Sequence, residues 1–244
     1  MKTSTKIFSI SMGLLISGMT EAQTFRFEGR DFETSNVKAS VETFKGDQVL
    51  KVERDLQKLP FDAERLQETV DEPTFVKLAN LDFENGTIEV KVYSQIQNPS
   101  PFESAQGFIG LAYRIKSDNS AFESIYLRPK VGRSDNQLFR NKTVQYYAYP
   151  DHKFDTLRKL ADGKYETTAS IDINEWITMR IEVMGEKAFL FINGSKYSTF
   201  VVDKMLGSTK SGSVGLWVDI GTIGYFKDLI ITKSKLSKQF GLNN

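Results

Sequence analysis

The chain has 244 residues, 40% of them apolar and 26% charged, with 32 Lys or Arg against 31 Asp or Glu. This composition supports a sizeable core and excludes global disorder, and the near-neutral balance excludes general nucleic-acid binding, which needs a surplus of phosphate-neutralising cations. With no Cys, disulfides, thiolate metal ligands and thiol nucleophiles are absent.

Lys2 and Lys6 precede an apolar run over residues 7–19, followed by Thr20-Glu21-Ala22. This pattern predicts a secretory signal peptide, residues 1–22, cleaved near Ala22. The run is short for a membrane span and no second one follows, so a secreted or periplasmic protein with no membrane span after cleavage is expected. Cleavage removes Lys2, Lys6 and Glu21 and takes the formal charge from +1 to zero.

Residues 38–43 and 48–54 read as strands joined by a turn at Lys45-Gly46-Asp47. Residues 55–72 mix Leu56, Leu59, Phe61, Leu66 and Val70 with many charges. Pro60 forbids one continuous helix, so a loop with at most a short helix over 63–69 is expected. Strands follow at 75–78 and 87–93, joined across Phe83-Glu84-Asn85-Gly86, where Asn-Gly signals a hairpin turn. Residues 95–106, with Pro99 and Pro101, form a polar loop that either overhangs a binding face or simply connects.

The stretch 107–150 holds three strand-like runs. Successive strand side chains point to opposite faces, so Ile109, Leu111, Tyr113 and Ile115, then Ile125 and Leu127, then Val144, Tyr146 and Ala148 are expected toward the core. Arg114, Ser124, Tyr126, Arg128, Gln145, Tyr147 and Tyr149 take the opposite phase. Trp217 and Asp219, beside Gly215, have that same phase on their own strand. Between Arg114 and Lys142 there are seven Lys or Arg against three acids. If the strands are neighbours, they form a shelf of guanidinium, amide and phenol groups, with Arg140 and Asn141 as donors at its edge. Alternatively, these side chains coat a solvated sheet, and Asn141 caps a turn.

Residues 151–170 form a polar excursion with His152, Arg158 and Tyr165. Strand alternation resumes at 176–183, with Ile177, Met179, Ile181 and Val183 on one face. It continues at 188–192, before an Asn193-Gly194 turn, and again at 213–219. A closing strand spans 225–232, and 233–244 is a polar tail.

Many short strands with frequent turn signals predict a single all-β domain over residues 23–232, an antiparallel sandwich. Further motifs stand in a characteristic order. They are Asn85-Gly86-Thr87-Ile88-Glu89-Val90, Gly107-Phe108-Ile109-Gly110-Leu111-Ala112-Tyr113-Arg114, Trp176-Ile177-Thr178-Met179-Arg180, Phe191-Ile192-Asn193-Gly194, Gly212-Ser213-Val214-Gly215-Leu216-Trp217 and Phe226-Lys227-Asp228-Leu229. Over residues 25–232 this order resembles the concanavalin A-like lectin/glucanase superfamily, especially its laminin G-like members. The resemblance implies a two-sheet antiparallel jelly-roll sandwich and says little about function.

Aromatic rings stack on sugars, while amides and Arg bond hydroxyls or clamp acidic groups. The expected ligand is therefore a poly- or oligosaccharide, with the basic balance favouring an acidic one. The expected binding residues are Arg114, Tyr126, Arg128, Arg140, Asn141, Gln145, Tyr147 and Trp217. Rival readings are a polysaccharide-active enzyme on the same face and a protein-interaction module.

The paired carboxylates of the related glucanases are missing: Glu28, Asp31 and Glu33 have the wrong spacing, and Asp172 with Glu175 lies at a turn. Jelly-roll alginate lyases are similar in Arg128, Gln145-Tyr146-Tyr147 and Tyr225-Phe226-Lys227, but Tyr147 stands where those enzymes have His. A lyase would need Tyr147 as its base, activated by Arg128 and Arg140. His152 reads as a loop residue. No cofactor is expected. Calcium is the one ion the resemblance admits, although Asp118, Asp135 and Asp219 are scattered and form no dense ligand loop.

Overall fold

The computed structural model describes residues 23–234. The expected signal peptide lies outside them, as does the tail beyond Ser234.

Among the described residues, fifteen strands and three short α-helices follow in the order β1 Thr24–Phe27, β2 Arg30–Ser35, β3 Val37–Phe44, β4 Asp47–Arg54, α1 Leu66–Thr69, β5 Phe75–Leu78, β6 Gly86–Ile96, β7 Ile109–Ile115, β8 Phe122–Leu127, α2 Gln137–Arg140, β9 Val144–Tyr149, α3 Phe154–Leu160, β10 Glu166–Thr167, β11 Ile177–Met184, β12 Lys187–Ile192, β13 Phe200–Val202, β14 Ser213–Val218 and β15 Thr222–Lys233. They form two antiparallel sheets, ordered β1-β2-β5-β14-β7-β8-β9-β10 and β13-β12-β11-β6-β15-β4-β3. This is the two-sheet sandwich that the resemblance implies. No helix among the described residues is long and apolar enough to cross a membrane.

Alternation builds the core between the sheets. In the first sheet, Val76, Leu216, Leu111, Ile125 and Tyr146 are cross-strand neighbours in one row, and Val218, Ile109, Leu127 and Val144 form the next. The second sheet answers with Ile88, Val90, Val92, Ile177, Met179, Ile181 and Val183, all fully buried. Strand β11 alternates buried and half-exposed residues, as a sheet with one wet face should. Strands β7, β8 and β14 are buried at every position, so the first sheet is covered on both faces.

Two expectations change, and one hairpin is added. Asn85-Gly86 joins no hairpin, because β5 belongs to the first sheet and β6 to the second. The buried Asn85 side chain instead accepts the Gly185 N–H at 2.7 Å. Gly86 has φ +135°, and a Cβ there would stand 1.9 Å from the Thr232 carbonyl oxygen. The alternation of β7 breaks at a bulge opposite Ser213 and Gly215, where Arg114 takes φ +52°. The extra residue reverses the phase beyond it, and Ile115 lies beside Gly215 with Phe75, not with Leu111. Finally, the first hairpin, β1–β2, was unforeseen. It turns at Glu28 and Gly29, both with positive φ.

Candidate functional site

The expected shelf exists as a row of neighbours on the outer face of the first sheet. Phe75, Trp217, Gly110, Tyr126, Gln145 and Glu166 stand side by side across six strands, with Ser124 and Tyr147 in the adjacent row. It is not a solvated surface: Tyr126, Gln145, Tyr147 and Trp217 are all buried. Tyr126 packs at 4.9 Å from Trp217 and 5.8 Å from Tyr147, and Phe122 stacks on Tyr149 at 5.1 Å. These rings make a second aromatic core rather than a free stacking platform.

Two segments roof this core. The first leaves β4 and crosses the sheet over residues 55–72. Arg54 pins it by donating to the carbonyls of Pro60 at 3.1 Å and Thr69 at 2.6 Å and to Asp219 Oδ1 at 2.7 Å. Trp217 Nε1 donates to the Glu72 carbonyl at 2.9 Å. The second segment carries α3, where Phe154, Leu157 and Leu160 recur at helical spacing and Leu157 is buried. Lys153, just before the helix, pairs with Glu72, tying the two roofs together.

Between the roofs and the sheet lies a cavity of about 250 Å³. Phe102, Phe108, Phe139 and Phe154 supply its apolar wall, and Asp71, Ser104, Gln106, Tyr126, Arg128, Lys142, Arg158 and Asp219 its polar groups. The loop after β6 therefore does overhang the site, through Phe102.

The charged groups form two networks. In the first, Glu166 receives both guanidinium groups: Arg128 Nη1 donates to it at 3.1 Å, and Arg158 donates through Nε at 3.1 Å and Nη2 at 2.5 Å. Burial alone would raise the Glu166 pKa, but the Arg158 hydrogen bonds and the charges of both arginines outweigh it and hold the pKa below the ordinary value. Arg128 also donates to the Lys142 carbonyl at 2.7 Å, Tyr126 Oη at 2.6 Å and Gln145 Oε1 at 3.3 Å. Both of its Nη groups are committed internally, so it is not free to clamp an acidic sugar bidentately.

In the second network, Asp219 Oδ2 accepts the Asp71 backbone N–H at 2.9 Å, and Asp71 Oδ2 accepts the Phe154 N–H at 2.9 Å. Asp71 has φ +55°. Burial raises its pKa to about 7. The Phe154 hydrogen bond opposes that shift, the Asp219 charge reinforces it, and Arg128 and Lys153 partly offset it.

The remaining expected residues fall elsewhere. Arg114 leaves the shelf at its bulge and donates to the carbonyls of Glu84, at 2.7 Å, and Gly185, at 2.7 Å. There it ties together two loops at the far end of the sandwich. Arg140 donates to Gln137 Oε1 at 2.6 Å, and Asn141 closes α2 through its backbone N–H to Gln137. It is their neighbours Phe139 and Lys142 that line the cavity. Tyr147, the base that a lyase would need, is fully buried, and that burial pushes its phenol well above the ordinary range. His152 is half-buried and pairs its backbone with Ala148. Among the described residues, no three His, Asp or Glu side chains gather as metal ligands.

Asp71, Arg158, Glu166 and the four phenylalanines were missed. The spacing of Phe154, Leu157 and Leu160 was the available signal for α3. No local pattern marks Asp71, which acquires its surroundings from β4, β14 and α3.

In architecture the chain resembles lectin and glucanase sandwiches. The carbohydrate-binding module CBM66 from Bacillus subtilis superposes with a TM-score of 0.49 at 10% identity, covering 80% of this chain and 94% of that one. Domain 4 of the arabinanase AbnA from Geobacillus stearothermophilus gives 0.41 at 12%, covering 82% and 77%. A prokaryotic β-1,3-1,4-glucanase from a mouse hindgut metagenome gives 0.43 at 10%, covering 81% and 83%. At these values the likeness concerns the fold alone. No family model and no curated protein matches the chain.

Proposed function

We propose that this is an exported carbohydrate-binding sandwich that takes a single sugar residue, free or at a glycan end, into the cavity on its first sheet. The observation that carries this reading is the composition of the cavity, an aromatic wall of four Phe beside a fixed polar floor. Sugar rings have that same duality, with apolar C–H faces and hydroxyl edges. At about 250 Å³ the cavity is smaller than the roughly 300–1,000 Å³ usual for drug-sized ligands, which suits one ring rather than a long stretch of polymer.

Calorimetric titration with neutral and acidic mono- and oligosaccharides tests this. Phe139 is 50% exposed, so Phe139→Ala should leave the fold intact while weakening binding roughly three- to tenfold. Silence across the panel, or binding indifferent to Phe139→Ala, would sink the reading.

A second reading, a carbohydrate-active enzyme on the same cavity, is supported by Asp71. A carboxyl with a pKa of about 7 facing a cavity is suited to giving or taking a proton at neutral pH. Shortened or unsaturated products in the titration mixtures would favour it.

A further inference from the structure

We infer that this cavity selects acidic sugars, single rings that carry a carboxylate or a sulfate, through the unspent positive charge of Arg158 and Lys142. The inference rests on the proposed sugar-binding role and specifies its ligand class.

Charge is unevenly shared around the cavity. Arg128 and Arg158 both line it, yet they divide between them the single carboxylate of Glu166. One guanidinium charge is therefore left over. Lys142 adds a second, since it lines the cavity half-exposed and its amine meets no carboxylate among the described residues. Other charges nearby cancel: Asp219 faces Arg54 at 2.7 Å, and Lys153 pairs with Glu72. Asp71 remains, and even fully ionised it offsets only one of the two surplus cations, while burial raises its pKa to about 7. The wall is net positive in either state of Asp71.

Arg158 also keeps a donor in hand. Its Nε and Nη2 go to Glu166, and Nη1 has no hydrogen-bond partner. Its Cζ lies 4.9 Å from the centre of the Phe154 ring, so the guanidinium is held on both sides and loses little freedom when a ligand docks. Arg128, with both Nη groups spent, offers only its charge. The rest of a sugar ring finds partners as well. Ser104 and Gln106 line the cavity with side chains that make no hydrogen bond among the described residues, and Asp71 leaves Oδ1 unbonded. Tyr126 Oη accepts from Arg128 and so retains its own hydrogen to donate. Such groups both give and accept hydrogen bonds with hydroxyls.

The ligand class follows from the surplus. A neutral ring filling the cavity strips water from Arg158 and returns no counter-charge, which costs free energy. An anionic substituent replaces the lost hydration with a charge-assisted hydrogen bond, and the phenylalanine wall strengthens the attraction by excluding water.

Calorimetry tests this with glucuronate, galacturonate and the sulfate monoester of glucose against glucose and galactose, on the wild type, Lys142→Gln and Arg158→Gln. The wild type should bind at least one acidic sugar roughly tenfold more tightly than its neutral parent. Response to the uronates, to the sulfate ester or to both tells which acid the cavity takes. Lys142→Gln should weaken that binding about threefold, and Arg158→Gln, with folding checked by thermal melting, about tenfold. Lys142 holds no carboxylate in place, so its variant decides alone if Arg158→Gln does not fold. A neutral sugar bound as tightly as its acidic derivative overturns the inference and leaves the sugar-binding role standing. Acidic-sugar binding unchanged in Lys142→Gln and in folded Arg158→Gln does the same. Silence with every probe overturns that role and this inference together.

Discussion

Arg54 Nη1 lies 2.7 Å from Asp219 Oδ1, with the two side chains only 2% and 4% exposed. The pair joins the last residue of β4 in one sheet to the loop after β14 in the other, and through the Asp71 N–H it also sets the cavity wall.

Removing one partner of such a pair strands a buried charge. Asp219→Ala should therefore destabilise the fold by about 3–5 kcal/mol, seen in urea as a lower midpoint at unchanged slope. Arg54→Met combined with Asp219→Ala should cost less than the sum of the two single changes, because the paired removal leaves no orphan charge.

Asp71 imposes a pH dependence of definite sign. The unfolded chain loses this proton near 3.8, whereas the folded protein holds it to about 7. Between those values the folded state binds the extra proton, so the Asp71 contribution to stability falls as pH rises through the window and is constant above it. Asparagine tolerates a left-handed backbone and keeps an oxygen for the Phe154 N–H. Thermal melts of Asp71→Asn should thus show a gain over wild type at pH 8, with an upper limit of roughly 4 kcal/mol, and the gain should fade toward pH 4.

Glu166 acts in the opposite direction. Its folded pKa lies below the ordinary 4.5, so its stabilisation is complete above that value and is lost as pH falls through the lowered one. Glu166→Gln leaves Arg128 and Arg158 without their shared counter-charge and should cost about 3 kcal/mol at pH 7. The difference from wild type in urea unfolding should shrink below about pH 4.

Two glycines of the same conformational class should respond unequally. Both Gly86 and Gly163 have positive φ, but a Cβ at Gly163 meets nothing within 4 Å, whereas one at Gly86 collides with the Thr232 carbonyl at 1.9 Å. Gly163→Ala should cost about 1 kcal/mol of backbone strain and Gly86→Ala more than about 3 kcal/mol. Equal midpoints for the two variants would contradict this account of the β6–β15 contact.

The strands of the core were legible in the sequence because their signal is local. Ile177, Met179, Ile181 and Val183 alternate with polar residues in the chain just as they do in β11. The same period placed Tyr126, Gln145, Tyr147 and Trp217 on one common face, and β7, β8, β9 and β14 do bring them together. Alternation failed at Arg114, since a bulge is set by what the partner strand leaves room for and not by the run of side chains.

The opposite phase of 107–150 could be identified from sequence, but not what lies over it. An outer sheet face rich in Tyr, Gln and Trp reads alike whether it meets water or a roof, and here Arg54, Trp217 and Lys153 hold two roofs in place by contacts spanning up to 165 residues. The sandwich and the chemical character of its central strands follow from local pattern, because periodicity and turn residues act between neighbours in the chain. The tertiary structure alone decided that most of the expected shelf is core and that a small cavity at its edge remains open. It also decided that Asp71 keeps one carboxylate oxygen free of hydrogen bonds there, because burial and the spending of hydrogen bonds are settled between segments far apart in sequence.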